Sequence, residues 1–172
     1  HRISHALKPE VGHYFGGWWE EHGEEHPEWF AMRADGGRGP APNQQPDRVC
    51  MCVSNPELHR YIVEEAWDGG DLLRLGEGDS KAYCQCPDCL SWDGPQPEDA
   101  KARIVTDRYV RFWKTIYDMA VKKNPRVKVS TFLYVNYFPA PLTDIKLNEN
   151  FYGEFVPFSN FMVWYPADEA LL

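Results

Sequence analysis

Residues 48–75, RVCMCVSNPELHRYIVEEAWDGGDLLRL, carry the ordered grammar from which the fold class is read. Arg48–Val53 reads as a short strand. In the following Ser54-Asn55-Pro56-Glu57, Asn55 can cap a helix, Pro56 suits the first helical position, and Ser54 with Glu57 has capping-box spacing. A helix is expected from there, with Leu58, Tyr61, Ile62, Glu65 and Ala66 as an apolar stripe with a wet edge, stopped by Gly69-Gly70. Leu72–Leu75 then reads as a second short strand.

Working outward, residues 97–124 show the clearest helical period. Val105, Tyr109, Phe112, Trp113, Ile116 and Ala120 recur at three and four, Lys122-Lys123 complement the helix dipole, and Asn124-Pro125 end the run. Val127–Val135 (VKVSTFLYV) begins alternating and ends almost wholly apolar, as a strand buried on both faces should. A further strand is expected in 151–158 or 161–164. Residues 1–47, rich in Gly, Pro, His and Trp, read as a strand end followed by long loops, and GEGDSKAYCQCPDCLSWDGPQP (76–97) reads as a loop throughout. Strand, helix, strand, helix, strand implies a parallel sheet joined by crossovers, with ligands met at the carboxyl ends of strands. Those ends carry Ser54-Asn55, Gly76–Asp79 and Asn136–Pro141.

Composition bounds the function. With 172 residues, 43% hydrophobic and 15% aromatic, the chain can bury a core. It has 26 acidic against 18 basic residues, a net charge of -8, and its basic residues are dispersed, so nucleic acid is not an expected partner. No apolar run reaches the roughly 20 residues of a membrane span. The start at His1, with no Met and no leader, suggests a processed protein or an excised piece. A closed eight-unit α/β barrel needs about 250 residues, more than this chain has. The sequence does not address oligomeric state.

The sharpest chemical candidate is Gly76-Glu77-Gly78-Asp79, two carboxylates released from a strand into a Gly-flanked loop. If extended geometry continues, Glu77 and Asp79 point to one side with Cα atoms about 6.5–7 Å apart, close enough to perturb each other in a poorly solvated pocket. A solvated acidic turn is the plain alternative. Cys84-x-Cys86-x-x-Cys89, with Cys50-x-Cys52 upstream, matches half of a zinc site whose fourth ligand would be Cys50, Cys52 or a His. Zinc, a disulfide and free thiols all remain open, and five cysteines cannot all pair within the chain. His22 and His26 stand four apart in HGEEH, which is not the zincin pattern, and Gly23 and Pro27 favour a loop there. Tyr14, Phe15, Trp18 and Trp19 cluster in one stretch, and Tyr134, Asn136, Tyr137 and Phe138 close a strand. Flat rings beside amides and carboxylates suit carbohydrate; of Trp18 and Trp19, at most one is expected in a site. No phosphate loop, nucleophile elbow or dinucleotide fingerprint is present.

Taken in order, GHYF, HPEWFAM, VCMCVSNPEL, LGEGDSKAYCQCPDC, a long helix and a strand ending in Tyr and Pro resemble an uncharacterised bacterial family of glycoside-hydrolase-like barrels. That family is similar to α-glucuronidases and, more distantly, to β-hexosaminidases. The resemblance covers roughly residues 10–141. It implies an α/β fold that is part of a (β/α)8 TIM-type barrel: one partial domain over 1–172, with 1–47 as strand end and loops, 48–135 as a βαβαβ core and 136–172 as a loop and following strand. It implies a glycoside hydrolase acting on a carbohydrate, such as a uronic-acid-containing polysaccharide. Glu77 would be the general acid and Asp79 the stabiliser or base. His13, Tyr14, Trp18, Tyr83, Tyr134, Asn136 and Tyr137 are the expected substrate-binding residues. A Glu-Gly-Asp string replaces the adjacent Asp-Glu pair of hexosaminidases, which argues against a substrate-assisted mechanism. No cofactor is required, with Cys84, Cys86 and Cys89 as candidate ligands for a structural zinc. A secreted or periplasmic location is expected. The alternatives from other classes are a non-catalytic carbohydrate-binding barrel and a zinc-stabilised interaction module. As about half of a larger domain, the chain alone is expected to be poorly stable and inactive.

Overall fold

The computed structural model describes residues 12–134 and 137–155. A three-stranded parallel sheet lies at its centre in the order β1-β2-β3, formed by Leu72–Arg74, Lys128–Leu133 and Phe151–Phe155. In the middle strand β2, Val129, Ser130, Thr131 and Phe132 are all buried, which accounts for its loss of alternation. Leu73 lies opposite Val129 and Arg74 opposite Ser130. Pairing continues past β1, where the Leu75 N–H donates to the Ser130 carbonyl at 2.8 Å. The chain is thereby delivered straight into Gly76–Asp79 at the carboxyl end of the sheet.

Among the described residues there are four α-helices, α1 (Trp18–His22), α2 (Pro56–Tyr61), α3 (Pro87–Ser91) and α4 (Thr106–Ala120), of which α4 packs on β2. The start of α2 is the expected one, with Pro56 at its first position and the Asn55 side chain accepting from the Leu58 N–H at 3.0 Å. It runs on as a single π turn over Ile62–Ala66. The stripe of α4 (Val110, Phe112, Trp113, Ile116, Ala120) is buried together with Phe15, Leu58, Ile62 and Leu73 in one core. No helix among the described residues is long and apolar enough to cross a membrane.

Several expectations need correction. Among the described residues the chain is an α/β unit with a three-stranded parallel sheet, which does not amount to the expected portion of a (β/α)8 barrel. Arg48–Val53 makes no parallel strand, because its backbone groups are engaged elsewhere. Ala31 donates to the Cys50 carbonyl, Cys52 donates to the Trp29 carbonyl, and the Met51 N–H goes to the Glu77 carboxylate. Only an isolated antiparallel bridge, Phe30 to Met51, remains. Between β2 and β3 no α-helix occurs among the described residues, so the alternation also fails there. α4 begins at Thr106, not near 97, since the Gln96 side chain bonds both the N–H and the carbonyl of Ile104 and holds that stretch as a loop. Conversely, the expected loop 76–97 contains α3. The last strand falls at Phe151–Phe155; residues 161–164 lie outside the described residues.

Candidate functional site

The end of β1 is closed on by two other backbone segments, and glycine makes this possible. A Cβ on Gly76 would overlap the Gly12 carbonyl oxygen, and one on Gly78 would stand 2.9 Å from the Val49 carbonyl oxygen. Phe15 donates to the Gly76 carbonyl at 3.2 Å, and His13 Nδ1 lies 2.7 Å from the Glu77 carbonyl. Between these segments the Glu77 side chain turns inward. It is 2% exposed, with Oε1 accepting from the N–H groups of Met51 (3.0 Å) and Gly78 (3.2 Å) and Oε2 from the Tyr109 hydroxyl (2.9 Å). Burial lifts its pKa to about 7, against the pull of those three hydrogen bonds.

Asp79 stands at the surface instead. Its side chain is 39% exposed, its Oδ1 accepts from the Tyr134 hydroxyl at 2.8 Å, and its Oδ2 lies 3.5 Å from Arg48 Nη2. Asp79 borders a cavity of about 530 Å³ lined also by Asn43, Gln44, Gln45, Arg48, Ser80, Lys81 and Tyr134. Two carboxyls expected to share a side are therefore divided, one sealed in the interior and one in an open polar cleft.

The expected carbohydrate-facing residues split in the same way. Tyr134 lines the cleft, and the exposed His13 ring sits 6.0 Å from it and 4.9 Å from Phe132. Trp18 is core, packed on Tyr14, Phe15, His22 and Tyr61. Tyr14 donates to the Ala66 carbonyl at 3.4 Å and borders a separate cavity beside Trp67–Arg74. Tyr137 is buried with its ring 4.1 Å from that of Tyr109, and Tyr83 lies under the Arg108 guanidinium; neither lines the cleft. Asn136 lies outside the described residues. The sequence reading missed Asn43, Gln45, Arg48 and Lys81. All four sit in or beside segments that read as loops, and only the left-handed φ of 67° at Asn43 marks a backbone that favours such a residue.

A second constellation lies behind the same loop. The sulfur atoms of Cys52, Cys84, Cys86 and Cys89, all buried, lie within 4.8 Å of one another and could bind a metal. Cys52 Sγ is 3.6 Å from those of Cys84 and Cys86 and 3.9 Å from that of Cys89. Cys52 is thus the fourth member that the sequence left open. Cys50 is buried beside Ser80 and Glu77 and takes no part. The local folding follows from capping: Cys86 precedes Pro87 at the start of α3, and its sulfur accepts from the Cys89 N–H at 3.4 Å. His22 and His26 join no such group among the described residues; His22 ends α1 near the Tyr61 hydroxyl, and His26 stacks on Trp29 at 4.0 Å.

Residues 5–162 match the family described as Domain of unknown function (DUF4838). No curated protein and no solved structure matches the chain.

Proposed function

We propose that this chain, which belongs to the Domain of unknown function (DUF4838) family, is glycoside-hydrolase-like and acts on carbohydrate at the strand-end cleft, with a uronic-acid-containing polysaccharide as the substrate class. The observation that carries the reading is Asp79, a reachable carboxyl fixed by Tyr134 and Arg48 at the border of a cavity of about 530 Å³. Amides from Asn43 and Gln45 suit sugar hydroxyls, and the cations Arg48 and Lys81 suit a sugar carboxylate. Asp79 acts as the base or as the negative partner of an oxocarbenium-like transition state. Glu77, expected as the general acid, is a positioning residue: its oxygens are occupied by Met51, Gly78 and Tyr109. Turnover needs no cofactor, and zinc held by the cysteine loop would serve the fold.

One observation favours a second reading, carbohydrate binding without hydrolysis. Among the described residues lining the cleft Asp79 is the only carboxyl, whereas hydrolysis uses two. Both readings are tested by following reducing-end release and calorimetric binding over acidic and neutral oligosaccharides. We expect preference for acidic glycans, weakened by Lys81→Met, and roughly a hundredfold loss of release in Asp79→Asn, the size of a lost acid–base contribution. Binding without release in the unaltered chain selects the second reading. No binding to any glycan, or release unchanged by Asp79→Asn, rejects the assignment.

A further inference from the structure

The geometry points to a closed tetrathiolate zinc centre formed by Cys52, Cys84, Cys86 and Cys89, which fastens the loop carrying Asp79 to the Arg48–Val53 segment. Zinc holds thiolate sulfurs at about 2.3 Å in a tetrahedron, which places the sulfurs about 3.8 Å from one another. Cys52 stands 3.6, 3.6 and 3.9 Å from the other three, close to the edge length of that tetrahedron. A disulfide would need one pair at about 2.05 Å, and all five cysteines are unbonded.

Polar donors are directed at the sulfurs. Sulfur accepts from the backbone N–H groups of Met32 (to Cys84, 3.2 Å), Cys86 (to Cys84, 3.5 Å) and Cys89 (to Cys86, 3.4 Å), and Ser54 Oγ lies 3.0 Å from Cys89 Sγ. The Arg38 guanidinium, held by the Glu28 and Phe30 carbonyls, interacts electrostatically with Cys52 and would offset part of the negative charge that four thiolates bring to zinc. Four protein sulfurs fill the tetrahedron and leave no position for water, so the centre is structural. The ligand set is soft, which selects zinc over the oxygen-seeking cations.

What the centre fastens follows from the chain around it. Cys52 adjoins Met51, whose N–H holds the Glu77 carboxylate two residues before Asp79. The Cys84 carbonyl accepts from Arg108 of α4 at 2.7 Å, and the Gln85 N–H donates to the Met32 carbonyl at 2.7 Å. Losing the ion would release the Cys84–Cys89 loop from the segment that grips Glu77, loosening the strand end. This inference stands apart from the carbohydrate reading, since none of its observations involves the cleft.

The test uses the chain purified under reductant in metal-free buffer. We expect one zinc per chain by elemental mass spectrometry, five alkylatable cysteines after denaturation, and an intense thiolate-to-metal charge-transfer band when cobalt replaces zinc. Cys50→Ser should keep the metal and Cys52→Ser should lose it. Because Cys52→Ser can fail to fold, zinc is also stripped from the unaltered chain and returned, with hydrogen exchange as the readout. Exchange at the Met51 and Gly78 amides should rise at least tenfold on stripping and recover on return. Zinc-free chain, a disulfide in the alkylated mass, or equal metal loss in Cys50→Ser and Cys52→Ser overturns the centre. Bound zinc with unchanged exchange at Met51 and Gly78 overturns the fastening. None of these readouts requires a glycan, so failure of the carbohydrate reading leaves them standing.

Discussion

Burial holds the Glu77 carboxyl at about 7, against 4.5 for an exposed glutamate. The folded chain therefore binds that proton more tightly than the unfolded chain. Its contribution to stability is fully present below about 4.5 and is lost as the pH rises through about 7, a loss of about 3 kcal/mol at most. Glu77→Gln should keep the acceptor for Met51 and Gly78 and offer an amide to the Tyr109 oxygen. Urea unfolding at pH 5 and pH 8 should then show a smaller difference for Glu77→Gln than for the unaltered chain; equal differences would mean that Glu77 is not the titrating group. That Glu77 matters was legible in its Gly-flanked place at a strand end. Its inward direction was not, because the groups that draw it in, Met51 and Tyr109, lie 26 and 32 residues away.

Among the elements, α2 is the one whose beginning local chemistry specifies best. Asn55→Ala removes the acceptor for the Leu58 N–H and should cost about 1 kcal/mol, measured by denaturant unfolding at constant m-value. A cost near zero would show that the helix is held by its packing alone. The body of α4 was equally readable from its 3.6-residue period, while its start was set by Gln96, whose partner Ile104 no periodicity reveals. α3 escaped notice because a cysteine sulfur is its capping acceptor, a residue type absent from the usual capping set. Arg48–Val53 shows the opposite error. Its composition suits a strand, but strand formation needs free backbone donors, and the N–H of Met51 is spent on a side chain.

For the molecule as a whole, β3 is the outer strand of the sheet among the described residues, and there Tyr152, bonded to Lys128, is 38% and Phe155, packed on Phe138, 48% exposed. An exposed aromatic edge strand is a site for association between chains. Phe155→Lys should lower concentration-dependent light scattering while shifting the unfolding midpoint little; unchanged scattering would clear this edge. The amino-acid order was sufficient for the α/β class, the parallel sense of the sheet, the apolar faces of α2 and α4, and the residue types of both constellations. These depend on turn chemistry and on periods a few residues long. The extent of the sheet, the division of Glu77 from Asp79, the cleft lining of Arg48 and Lys81, and the choice of Cys52 over Cys50 came only from the folded chain. Each is a contact between segments far apart in sequence, set by which buried donors and acceptors find one another once the core has closed.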